Sequence, residues 1–308
     1  MITHYTICRY STNSLLYKFS QYSRSLVTIV CVTQMGVVKD YFKYQLQWQM
    51  FMLEHEDVSD FYLSPFQRNR SAVPLLFVRA IICLGCVGIL ISSVIYDIMP
   101  FGYWPIFLTH WGLILNTIEA AFGVIVSARA YLRGPIDATF GLPRYVKMYW
   151  AMTNIATVVA FFITVFYWSF LTGEVAEDSD MNKTVNVFVH AVNTVLMLSM
   201  LLSSRQPLNL LHVYQSVSVP LIYLIFSLIY YYAGGTNPLT GGSYIYPPLD
   251  WSQPGIASIT VVLSLVLLIV IHAVCVLLTF GRDALGRRLL RDNKYPVTND
   301  SYGNFRAP

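Results

Sequence analysis

PGIASITVVLSLVLLIVIHAVCVLLTF, Pro254 to Phe280, holds one histidine, His272, and no lysine, arginine, aspartate or glutamate. GRDALGRRLLRDNK follows at once, with Arg282, Arg287, Arg288, Arg291 and Lys294. A helix of about 20 apolar residues crosses the ~30 Å hydrocarbon core, so this stretch reads as a membrane span closed by a basic flank. It is longer than a span needs, so it must tilt or emerge. Working back from it, five more runs qualify: about 74–95, 105–128, 149–170, 185–202 and 213–233. Arg68 and Arg70 precede the first of them. Arg129, Arg133, Arg144 and Lys147 lie between the second and third, and Arg205 follows the fourth. The opposite loops carry Asp97, then Glu174, Glu177, Asp178 and Asp180, then Asp250, with Lys183 their one basic residue. Basic loops mark the cytoplasmic side. The expected fold is therefore an all-α bundle of six transmembrane helices with both termini cytoplasmic.

Composition agrees. Of 308 residues 56% are hydrophobic and 12% charged, about half the charge of a soluble domain. The net charge of +4 is loop arginine, not a nucleic-acid surface. None of the five cysteines falls in an outer loop, and the Cys83–Cys86 pair sits inside an apolar helix, where packing is its role. The expected domains are a cytoplasmic segment 1–73, the six-helix body 74–280, and a basic, then disordered, cytoplasmic tail 281–308. The run Leu26–Val32 is too short to span, and Met35 is an alternative start that would make 1–34 a gene-model extension. Residues 39–56, with Tyr41, Phe42, Trp48, Met50 and Phe51, suit an amphipathic interfacial helix. Of the three sequons, at Asn69, Asn182 and Asn299, this topology puts only Asn182 outside, as the glycosylation candidate.

Polar groups at membrane depth are costly and mark function by default. They are Thr109, His110, Asn116 and Glu119 in span two, Asn154 in span three, His190 and Asn193 in span four, and His272 in span six. Counting from the span ends, Thr109 and His190 each lie roughly 6–8 Å below the outer boundary. Two readings stay open for them: an interhelical hydrogen bond, or a hydroxyl nucleophile beside its general base. Asn116 falls on the face of Thr109, with Gly112 between them, a stripe suited to close helix packing. Glu119 and His272 lie at equal depth near the inner ends and are expected to form a buried polar pair, as structural cement or as part of a proton or ion path. No phosphate loop, zinc spacing or dinucleotide motif is present, so no cofactor and no metal is expected.

Tyr230-Tyr231-Tyr232-Ala233-Gly234-Gly235-Thr236, continuing to Tyr244-Ile245-Tyr246-Pro247-Pro248-Leu249-Asp250-Trp251, resembles the Rolling stone family of multi-pass membrane proteins, and so does His190-Ala191-Val192-Asn193-Thr194. The resemblance covers roughly residues 47–285. It implies a role at the plasma membrane in cell–cell fusion, as in myoblasts of flies. Phe107-Leu108-Thr109 is more distantly similar to the androgen-induced hydrolases of fatty-acid esters, in which such a threonine is catalytic. Their His-x-x-His-Thr motif is here His190-x-x-Asn193-Thr194, with an amide in place of the catalytic imidazole. An amide is no general base.

These observations lead to a non-catalytic, Rolling stone-like plasma-membrane protein acting in cell–cell fusion or myoblast-type differentiation. Its expected partners are the lipid bilayer and a membrane or cell-surface protein, not nucleic acid. The alternative is an intramembrane threonine hydrolase of lipid esters, with Thr109 as nucleophile, His190 as base and Asn193 donating to the oxyanion.

Overall fold

A computed structural model describes residues 39–96, 101–171, 180–238 and 240–291, apart from the side chains of 180–182 and 291. The Leu26–Val32 run, the acidic residues at 97 and 174–178, the Asn182 side chain, Asn299 and the tail from Asn293 lie outside the described residues. The chain divides into two units, residues 1–47 and 48–308. The described part of the first holds one short helix over 39–45. The long amphipathic helix expected over 39–56 is not formed. In the second unit Trp48–Phe51 is a single 3₁₀ turn, and Phe51 stacks on Tyr214 at 4.7 Å between centroids. That aromatic contact uses a turn rather than a continuous apolar face.

Among the described residues six helices are long and apolar enough to cross a bilayer. α1 is Val73–Ile95, opened by Pro74 in its first turn, where no N–H is needed. α2 is Leu108–Arg133 and stops at Gly134, whose φ of 81° suits glycine. α3 begins after Pro143 and runs over Arg144–Leu171, its last five residues a π turn. α4 is Lys183–Ser203, interrupted by a second π turn at Phe188–Val192. α5 is Leu210–Tyr232, with Pro220 inside it, and α6 is Pro254–Arg291.

Helices α2, α3 and α6 run farther at the arginine-bearing end than the hydropathy runs do, to Arg133, from Arg144 and to Arg291. Hydropathy reports hydrocarbon thickness, whereas backbone hydrogen bonding continues into the polar layer. α3 is the central helix. It packs against α2, α4, α5 and α6, and every residue from Thr153 to Ala160 is buried, as expected of a helix enclosed on all sides. Close approach of α2 and α3 depends on glycine. A methyl at Gly112 would meet Ile163 Cδ1 at 2.5 Å, and one at Gly123 would lie 3.3 Å from the Tyr149 ring. The small-residue stripe read from the sequence therefore faces α3.

Candidate functional site

The first turn of a helix leaves N–H groups without partners, and α2 has no side-chain cap of its own. Its cap comes from far along the chain. The phenol oxygen of Tyr246 accepts the Leu108 N–H at 3.0 Å and lies within electrostatic reach of the Thr109 hydroxyl. Tyr223 of α5 donates to the Ile106 carbonyl at 2.8 Å. The loop between α5 and α6 thus tucks Tyr246 against the start of α2.

Beside this cap lies a cavity of about 340 Å³ walled by α2, α3, α5, α6 and the Tyr246 loop. Thr109 lines it, as do Phe166, Tyr223, Leu265 and Leu268.

His190 occupies the π turn of α4. Its ring stacks on Tyr167, which belongs to the π turn of α3, at 3.6 Å and 5°. A π turn displaces the i→i−4 ladder, and the His190 carbonyl here accepts from the Thr164 hydroxyl. Thr164 and Thr194 touch at 2.6 Å, and Thr194 donates to Ala160 O at 2.9 Å. His190 Nδ1 has no hydrogen-bond partner among the described residues, nor has Asn193 Oδ1. The residue near enough for electrostatic interaction with His190 is His110, itself stacked on Trp104 at 4.2 Å. Thr109 and His190 therefore share an end of the bundle but make no hydrogen bond to one another.

Glu119 and His272 are both fully buried but do not pair. His272 engages Ser216 Oγ through Nδ1 at 2.9 Å and the Asn209 carbonyl through Nε2 at 3.0 Å. The expected pair is not formed: α6 turns His272 toward α5, while α2 turns Glu119 toward α1 and α3. The Ser216 hydroxyl also contacts the Asn154 carbonyl at 2.7 Å, and Asn154 Nδ2 reaches His212 and Gln215 at 3.0 and 2.7 Å. This network ties α3, α5 and α6 together. Asn116, the other member of the α2 stripe, is fully buried with both side-chain polar atoms unpartnered.

The charge that Glu119 interacts with is Arg79, a residue the sequence reading passed over. Arg79 sits in α1, fully buried. Its Nη1 donates to Phe61 O at 2.8 Å, Gly123 O at 3.1 Å and Ser127 Oγ at 2.6 Å. Its Nη2 donates to Tyr149 Oη at 2.8 Å and Ser204 Oγ at 3.1 Å. One guanidinium thus joins α1, α2, α3, the segment before α1 and the end of α4. The signal was available: Arg79 is the single charge in an otherwise apolar 23-residue helix. Arg282 does similar work at the end of α4, donating to the carbonyls of Leu201, Arg205 and Gln206 at 2.8–3.2 Å. Such charge-assisted contacts satisfy orphan C-terminal carbonyls. Outside the spans, His55 and Asp60 pair at 2.8 Å, and burial raises the Asp60 carboxyl above its ordinary pKa.

A family model described as Protein rolling stone matches residues 35–297. A Drosophila melanogaster relative, described as Protein rolling stone, is 30% identical over 263 residues, covering 81% of this chain and 91% of that protein. No solved structure matches.

Proposed function

The chain belongs to the rolling stone family, and from that premise we propose that it is a non-catalytic multi-pass protein of the plasma membrane acting in cell–cell fusion or myoblast-type differentiation. Both tails are cytoplasmic in this reading, supported by the arginines that cluster at one end of every span. A membrane or cell-surface protein partner would meet the opposite loops. The observation that carries the non-catalytic part is the Thr109 hydroxyl. It lies beside the Tyr246 phenol, and a phenol that caps a helix is not a base able to activate it. His190 lies stacked on Tyr167 and its Nδ1 has no hydrogen-bond partner among the described residues.

One observation favours the second reading, a threonine hydrolase of lipid esters: Thr109 lines a cavity between membrane spans. Fluorophosphonate labelling of the purified protein, beside Thr109→Ala and His190→Ala, separates the two. The proposal expects no labelling in the wild type while a related hydrolase labels alongside. Labelling that disappears in both variants would replace it with the hydrolase. Content mixing between cells expressing the wild type, compared with cells lacking it, tests the fusion role directly. Equal mixing in both removes that role.

A further inference from the structure

Hydroxyls inside membrane helices usually bond back to a carbonyl of their own helix. Thr117, Ser199, Ser218, Ser227 and Thr279 all do so, at 2.6–2.8 Å. Thr260 and Ser264 do not. They stand one turn apart on α6, both line the 340 Å³ cavity, and neither makes a hydrogen bond to any described residue. Residues four apart share a helix face, so the two hydroxyls form a polar pair on an otherwise hydrocarbon wall.

The rest of the lining narrows what could meet them. No lining residue carries a charge; of the other polar lining groups, the Tyr223 and Tyr246 phenols are engaged with backbone at the start of α2, and the Thr109 hydroxyl and Tyr167 phenol belong to the α2 and α3 walls. The cavity also opens sideways. Leu221 of α5 and Leu265 of α6 both line it and are 51% and 43% exposed on the surface that faces hydrocarbon. An occupant therefore arrives from the bilayer, is uncharged, and carries an oxygen that two hydroxyls can reach. Its volume of about 340 Å³ lies within the range of about 300–1,000 Å³ found for small-molecule sites.

We propose that this cavity is a lipid-binding site, taking an acyl chain of an uncharged glycerolipid, a diacylglycerol, through the gap between α5 and α6, with Thr260 and Ser264 hydrogen-bonding its ester or hydroxyl oxygens. Thr109 lines the same cavity, but binding by the α6 hydroxyls does not require Thr109 to act as a nucleophile, so loss of lipid crosslinking and loss of fluorophosphonate labelling are separate outcomes.

The test is photocrosslinking of the full chain in phosphatidylcholine proteoliposomes, using a clickable diacylglycerol with a diazirine in one acyl chain and peptide mapping by mass spectrometry. Crosslinks should concentrate on cavity-facing residues of α5 and α6. Ser264→Trp, which fills the cavity, should reduce them several-fold, and the Thr260→Ala, Ser264→Ala double variant should weaken them while leaving the space open. Leu263→Trp, on the lipid-facing side of α6, should leave them unchanged. Phosphatidylcholine carrying the same diazirine chain should label this site less. The proposal is overturned if that phospholipid labels it equally, if unlabelled sterol competes better than unlabelled diacylglycerol, or if crosslinks spread evenly over all lipid-facing positions and ignore the Ala and Trp variants. The Ala pair keeps the outcome readable should Ser264→Trp fail to fold.

Discussion

At the basic end of the bundle two guanidinium groups, Arg79 and Arg282, reach into the backbone of segments far apart in sequence. At the other end the ties to the start of α2 are single phenol oxygens, Tyr246 on the Leu108 N–H and Tyr223 on the Ile106 carbonyl, and α3 meets α4 through the single hydroxyls of Thr164 and Thr194. The basic end is filled by Phe61, Tyr149, Trp150 and Met200, whereas the opposite half leaves an apolar cavity beside Pro220. A guanidinium offers five donors in a fixed fork, so one residue can define the relative position of several elements. A phenol offers one oxygen, and leaves its neighbours freer. The same bundle is thus locked at one end and permissive at the other, which suits ligand entry from the side.

Substitutions can break that contrast. Arg79→Leu should have the largest effect, about 3–5 kcal/mol of lost stability, because it removes five charge-assisted hydrogen bonds and leaves their buried acceptors without that donor. Chemical denaturation in detergent measures it, and a loss no greater than that of an exposed-site variant would place the lock elsewhere. Gly286→Ala comes next, at about 1–3 kcal/mol. Its new methyl would lie 2.6 Å from the Pro65 carbonyl oxygen, and backbone cannot yield as a side-chain tip can. Tyr246→Phe at the permissive end removes only the cap of α2 and should cost about 0.5–2 kcal/mol. Hydrogen exchange should then quicken at Leu108 and Thr109 while α1 stays protected. The smallest effect concerns Asp60. Its folded pKa lies above the ordinary 3.8, so its contribution is fully present below 3.8 and is lost as pH rises through the folded value. Asp60→Asn should flatten the stability profile just above pH 3.8, and a slope identical to wild type would remove Asp60 from that account.

The contrast also explains what the amino-acid order revealed. Six spans were legible because each needs only length and apolarity, and so was the Gly112 stripe, which depends on helical period alone. Arg79 was legible in principle, since a lone charge in an apolar helix demands partners. The Glu119–His272 pairing was not, because depth follows from counting residues whereas azimuth depends on how each helix is rotated by its neighbours. The π turns around Tyr167 and His190 were likewise hidden. They arise from packing between α3 and α4, and no local propensity encodes them. The capping of α2 by Tyr246, 138 residues away, had no local trace at all.

The two arginine centres differ in when their partners exist. Every group that Arg79 holds, from Phe61 to Ser204, precedes residue 205, so its pocket can close once four spans have been made. Arg282 contributes the later contacts, to carbonyls of residues 201–206. Synthesis proceeds from the N-terminus and assembly tends to follow it. The first four helices therefore carry every hydrogen-bond partner of Arg79 with them, whereas the contacts of Arg282 wait for the sixth. A ribosome-stalled chain ending just past Ser204 should already bury Arg79, with the α5 and α6 walls of the cavity still to come.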